Sequence, residues 1–217
     1  MRQPLFKRLL GPHIETEEVD PHSSIEGGLM KAEQEAIAGA AQTRIEQFTA
    51  GRVCSRIALG RFGVATTTPV VRGEDRAPIW PPGFVGTISH TDTWCAAAVA
   101  RAEDVRAIGI DLEPATPLKE SLWRRVCTQK ERDWLHELSA PGLTGKILFS
   151  AKEAVYKCQY PLTTKFLGFH AVEVELDDDS FRAVFQQEAG EFKPGDVMTG
   201  RYLVEDGLVA TACELPR

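Results

Sequence analysis

The sequence predicts an α+β fold, and three observations predict it. Helix-period and strand-period segments come in blocks, helical, then strand-like, then helical, then strand-like again, rather than alternating one for one. The strand blocks enclose short polar links, His90–Asp92 and Asp206-Gly207, of the kind that join antiparallel neighbours. With 217 residues, 43% hydrophobic and 26% charged, the chain can bury a core as one large domain or as two packed halves, taken here as residues 1–108 and 109–217.

Residues 1–28 carry Glu15, Glu17, Glu18 and Asp20 among Pro, Ser and Gly without a clear period, as an irregular segment or an edge element does. From Leu29 to about Phe62 apolar residues (Met30, Ile37, Ala41, Ile45, Phe48, Val53, Ile57) recur at steps of mostly three and four, a helical period with Gly51 as its expected point of division. Residues 68–84 hold Pro69, Gly73, Pro78, Pro81, Pro82 and Gly83, and read as a shaped surface loop anchored by Trp80. Val85–Ser89, Thr93–Arg101 and Arg106–Glu113 are short apolar runs bounded by turns, hence strands. A helix near Leu118–Cys127 precedes one that opens with a capping box, Thr128-Gln129-Lys130-Glu131, and has Trp134, Leu135 and Leu138 as its apolar face. A third helix runs from about Gly145 to Tyr160, where Pro161 is expected to stop it. Strands return at Ala171–Leu176, Ser180–Gln186 and Arg201–Glu214, the last folding back on itself at Asp206-Gly207.

Twenty-five Lys and Arg against 31 Asp and Glu leave a net charge of −6, which argues against a general nucleic-acid binder but leaves room for a local basic pocket. Cys54, Cys95, Cys127, Cys158 and Cys213 are scattered, without the close spacing of zinc or redox motifs, and read as free thiols of a reducing, cytoplasmic setting. Lys7 and Arg8 interrupt the first apolar residues, so no signal-peptide core is expected. The longest apolar stretch, Trp94 to Ala100, is too short to span a membrane.

The residues with chemistry to offer are acidic. Asp111 and Glu113 stand two apart in Gly109-Ile110-Asp111-Leu112-Glu113, so on a strand both carboxylates point to one face while Ile110 and Leu112 point to the other. Glu153 comes from the third helix of that block, with Lys157 one turn further along the same face. Three carboxylates beside a lysine suit Mg²⁺ bound together with phosphate oxygens. The same spacings also describe a solvated strand face and a surface ion pair on a helix.

The order of three segments sharpens this. Trp80–Thr91 (WPPGFVGTISHT), Gly109–Glu113 (GIDLE) and Phe149–Lys157 (FSAKEAVYK) resemble the three signature motifs of the 4′-phosphopantetheinyl transferases, in the family's order and separation, closest to the enterobactin-synthase branch of the surfactin-type group. Supporting matches are Gly73–Pro78, Thr128–Arg132, Leu162-Thr163 and Phe166–Phe169, so the similarity runs from about Arg44 to Phe169. The resemblance implies two pseudo-symmetric α+β halves with coenzyme A in the cleft between them. It implies Asp111, Glu113 and Glu153 as ligands of Mg²⁺, with Mn²⁺ left open, and Ser89, His90, Asp111 and Lys157 beside coenzyme A. Arg52 and Arg56 look like the branch's basic residues for the 3′-phosphate, joined by Arg76; Arg44 ranks behind them, since its match falls outside the clearest motif. Asp75 departs from the pattern, standing where some relatives carry a basic residue.

The implied reaction is attack by a serine hydroxyl of an apo carrier protein on the β-phosphate of coenzyme A, with adenosine 3′,5′-bisphosphate leaving. Glu153 is the expected acceptor of the serine proton and Lys157 the group that offsets charge on the leaving phosphate. The carrier is expected to dock on the Leu118–Arg132 region through Lys119, Arg124, Arg125, Lys130 and Arg132. Duplication within one chain suggests a monomer. A metal-dependent nucleotide phosphohydrolase would use the same residues with water as nucleophile, and a catalytically silent scaffold would only bind.

Overall fold

The computed structural model of the chain describes residues 3–23 and 25–217, so residues 1, 2 and 24 of the opening segment lie outside the described residues. The rest of that segment supplies a short 3₁₀ turn, Phe6–Arg8, and a true edge strand, β1 (Ile14–Val19). β1 pairs antiparallel with β5 (Cys95–Arg101), which pairs with β4 (Phe84–His90), giving a three-stranded sheet in the order β1-β5-β4. Between them the Pro- and Gly-rich loop forms a small hairpin of β2 (Val71–Arg72) and β3 (Pro78–Ile79), and Trp80 anchors it against Val70, Val99 and Phe84.

The first helical stretch divides earlier than its glycine suggests. α1 (Lys31–Gln34) and a 3₁₀ turn (Glu35–Ile37) end at Ala38, which leaves the helical region, and α2 (Gln42–Gly60) starts after the extended N-cap Ala41. Gly51 sits inside α2 instead, because a Cβ there would lie 2.9 Å from Ile88 Cγ2. It lets the helix close on β4 rather than breaking it.

β6 (Val105–Pro114) leaves the first sheet and pairs along its length with β10 (Leu208–Pro216). Beyond β10 follow β9 (Val197–Glu205), β8 (Ser180–Phe185) and β7 (Val172–Leu176), all antiparallel, in a five-stranded sheet of order β6-β10-β9-β8-β7. β6 belongs wholly to this second sheet, so the division drawn between residues 108 and 109 falls inside a strand. The three helices between are α3 (Glu120–Val126), α4 (Gln129–Glu137) and α5 (Pro141–Thr163). α5 begins at Pro141, which needs no helical partner for its missing N–H, and Pro161 is absorbed in the last turn. The chain turns only at Thr164, held in the left-handed region at φ 54°.

The alternation of the strands builds the cores. Ala96, Ala98 and Ala100 of β5 share one apolar cluster with Ile108, Ile110 and Leu112 of β6, closed by Leu5, Phe6 and Leu9. The opposite faces take the helices, α2 against β5 and α5 against β6, which leaves a cleft between the two halves where β4 runs beside β6. All five cysteines are free and buried. Among the described residues no helix is long and apolar enough to cross a membrane.

Candidate active site

Asp111 is placed by strand alternation, and what stands over it is placed by Gly109. A Cβ at Gly109 would lie 1.9 Å from the Ala154 carbonyl oxygen, so only glycine lets α5 lie this close to β6. Residues 146, 150, 153 and 157 of α5 follow at steps of four, three and four, one stripe of the helix, and this stripe faces the strand's acids. Lys157 Nζ donates to Asp111 Oδ1 at 2.8 Å, Ser150 Oγ donates to Asp111 Oδ2 at 2.8 Å, and Lys146 Nζ lies 2.8 Å from Glu113 Oε2. Asp111 is buried, 4% exposed. Glu153 makes the third corner: burial first, then the fields of Asp111 and Glu113, raise its pKa, while Lys157 opposes them.

An all-oxygen, three-carboxylate donor set fits a hard divalent cation. Among the described residues these side chains do not converge into a closed ligand cage. Asp111 and Glu113 are held by Lys157 and Lys146 instead.

In the fold's other half lies a cavity of about 210 Å³ lined by Arg44, Arg52, Arg72, Arg76 and His90, with no carboxylate in its wall. Arg52 is 5% exposed, stacks 4.1 Å over the Phe48 ring, and its Nε finds no partner. Burial lowers its pKa to about 10. Arg44 Nη1 lies 2.8 Å from His90 Nε2; a guanidinium can only donate, so Nε2 accepts and the ring proton sits on Nδ1. That Nδ1 is also buried without a partner. Burial first, then Arg44 and Lys157, lower the His90 pKa to about 4. Two orphaned donors among four guanidiniums describe a site built for an anion.

Arg56 and Ser89 do not line the arginine cavity. Arg56, four residues from Arg52, reaches Glu33 Oε1 at 2.7 Å and the Gly28 carbonyl, and Glu33 is 0% exposed. It is spent on a buried ion pair that fastens α1 to α2, so it does not line the anion cavity. Ser89 Oγ donates to Asp111 Oδ1 and accepts from the Leu112 N–H and from Lys157 Nζ. In exchange the cavity takes Arg72, which sequence reasoning passed over: one basic residue on a two-residue strand has no period to betray it, and its only signal is its place before the Gly73 turn. Of the basic residues expected to meet a carrier, Lys130 is held by Glu173 and Glu175, and Arg132 by the Cys127 carbonyl and Gln129. Arg124 and Arg125 stay exposed on α3.

The cavities connect. A space of about 480 Å³ lies between Trp80, Thr87 and Ile88 on one side and Tyr156, Lys157 and Tyr160 on the other, and shares Arg76, Pro78 and Ile88 with the arginine cavity. Through Tyr156 it meets a third space of about 290 Å³, lined by Glu153, Arg125 and Phe166. Phe166 is 80% exposed at that mouth. An elongated ligand anchored among the arginines would thus run past Lys157 to Glu153.

Comparison with known proteins bears on the same two halves. Residues 32–100 match the family model of the 4′-phosphopantetheinyl transferase N-terminal domain, and residues 107–212 that of the 4′-phosphopantetheinyl transferase superfamily. The chain is 37% identical over 193 residues to the 4′-phosphopantetheinyl transferase Npt of Nocardia iowensis, covering 83% of this chain and 86% of the relative. It is 39% identical over 200 residues to the 4′-phosphopantetheinyl transferase Svp of Streptomyces mobaraensis, covering 85% and 77%. The match to enterobactin synthase component D of Salmonella typhimurium is shorter, 34% over 142 residues, covering 62% and 56%. By identity sustained over most of both chains, this protein belongs to the 4′-phosphopantetheinyl transferase superfamily and is an enzyme of that class.

Proposed function

We propose that the chain transfers the 4′-phosphopantetheine group of coenzyme A to a serine of an apo carrier protein, acyl, peptidyl or aryl, with release of adenosine 3′,5′-bisphosphate. The observation that carries the reading is the cavity of four arginines without a carboxylate, joined through shared lining residues to Lys157 and Glu153. A phosphomonoester at one end of coenzyme A and a pyrophosphate further along match that spacing of charge in kind.

In this reading Arg44, Arg52, Arg72 and Arg76 bind the 3′-phosphate and His90 donates to it from Nδ1. Lys157, now paired with Asp111, offsets charge on the leaving phosphate. Glu153, its pKa raised by its surroundings, accepts the proton of the attacking serine. Asp111, Glu113 and Glu153 would hold a divalent cation, Mg²⁺ or Mn²⁺, whose chemistry is neutralisation of the pyrophosphate. The carrier approaches at the Glu153 mouth, where Phe166 and Arg125 are exposed.

The test is the mass of a panel of apo carrier proteins after incubation with the protein, coenzyme A and Mg²⁺. One phosphopantetheine is gained per carrier, and Glu153→Gln slows the gain by about 10²–10⁴-fold. Cleavage of coenzyme A at equal rate without any carrier would instead identify a hydrolase, and binding without either reaction a scaffold.

A further inference from the structure

Of the two carboxylates that β6 presents on one face, Asp111 is fixed by several partners and Glu113 by one. Asp111 is tied on both oxygens, Oδ1 to Lys157 and Oδ2 to Ser150, each at 2.8 Å. Among the described residues Glu113 is held by a single hydrogen bond, from Lys146 Nζ to Oε2 at 2.8 Å. Lys146 opens the stripe of α5 that faces these acids, and the pair is largely out of water, its side chains 12% and 25% exposed. The ammonium also lies 5.6 Å from the centre of the Phe149 ring. Lys130, 65% exposed, makes the contrasting surface pair, well screened by solvent; the field of Lys146 is screened much less. Lys146 lines none of the three connected cavities that would take an anionic ligand, whereas Lys157 lines the central one. Its charge answers to Glu113 alone.

We infer that Lys146 is the built-in counter-ion of Glu113 and competes with a divalent cation for that carboxylate, so that it sets how much cation the enzyme needs. The inference rests on the transferase reading, in which Asp111, Glu113 and Glu153 would hold Mg²⁺ or Mn²⁺. An ammonium 2.8 Å from a ligand oxygen repels such an ion, and in a partly buried place the repulsion is strong. Little positioning is lost without it. The backbone of Glu113 is paired with Val209 of β10, and strand alternation already puts its side chain on the Asp111 face. Lys146 is also able to leave, since it sits on a flexible four-carbon stem and gives Glu113 one of its three donors.

The test reads cation binding rather than turnover: paramagnetic titration of Mn²⁺ into wild type, Lys146→Met and Lys146→Arg, each shown folded by circular dichroism and saturated with coenzyme A. Lys146→Met is expected to bind Mn²⁺ about tenfold more tightly, and Lys146→Arg, which keeps the charge, to stay within about twofold of wild type. In a Glu113→Gln background the same Lys146→Met change should shift the affinity by less than about threefold, because Lys146 then has no partner to hold it at the site. Weaker or unchanged Mn²⁺ binding by Lys146→Met would overturn the inference, as would equal tightening by Lys146→Arg or an undiminished effect in the Glu113→Gln background. Failure of wild type to modify any carrier, with the Mn²⁺ shifts present, would sink the transferase reading alone.

Discussion

His90 shows how much one buried proton can decide. Its folded pKa of about 4 lies below the ordinary 6.5, so between those values the unfolded chain binds a proton that the folded chain refuses. This contribution to stability is complete above pH 6.5 and is lost as the pH falls toward 4. Glu153 works in the opposite sense, since a raised carboxyl takes up its proton earlier in the folded chain. His90→Gln should therefore remove an acid-side loss of about 1–3 kcal/mol from denaturation curves recorded across that window. Identical slopes in variant and wild type would mean that the ring is not held neutral. The residues themselves were partly legible: Asp111, Glu113, Glu153 and Lys157 stand on one face each by spacing alone. Arg56 and Arg72 were not, because a guanidinium on a long side chain goes to whichever carboxylate or cavity the fold brings within reach.

At the scale of elements, α5 uses two faces for two purposes. The stripe Lys146, Ser150, Glu153 and Lys157 faces β6, while Lys152 turns inward and ties the helix to its neighbours. Lys152 Nζ reaches Glu131 Oε2 at 2.6 Å and the carbonyls of Val126 and Phe169 at 3.0 Å each. Glu131, read from sequence as a capping residue, does cap α4, receiving the Thr128 N–H at 2.6 Å, and also receives the Val174 N–H of β7 at 2.7 Å. Three helices, the 3₁₀ turn Phe169–Ala171 and β7 thus meet at one buried ion pair, both members 2% exposed. Removing the ammonium leaves the carboxylate buried and uncompensated, so Lys152→Met should cost about 3–5 kcal/mol in urea denaturation. Adding Glu131→Gln to it should recover part of that; a single-variant loss under about 1 kcal/mol would show that the pair is dispensable.

Across the whole molecule the site depends on how closely α5 settles on β6, and Gly109 sets that distance. Gly109→Ala must push the helix off the Ala154 carbonyl, at a cost of about 1–3 kcal/mol, and move Glu153 and Lys157 away from Asp111. Transfer to carrier should fall sharply, while coenzyme A should still raise the melting temperature, since the arginine cavity is built on α2, β2 and β4 and does not depend on that contact. Loss of both would show that the halves do not move separately. The sequence by itself determined the class of fold, the strand faces, the helix stripe and the family, because each is written in local spacing: period two, period three to four, and three motifs in order. Tertiary structure alone decided which cations share a cavity, that α2 runs unbroken through Gly51, that β6 crosses to the second sheet, and that Ser89 bridges the halves. Those outcomes depend on partners distant along the chain, 68 residues for Ser89 and Lys157 and further still for the β6–β10 pairing, and no local pattern records them.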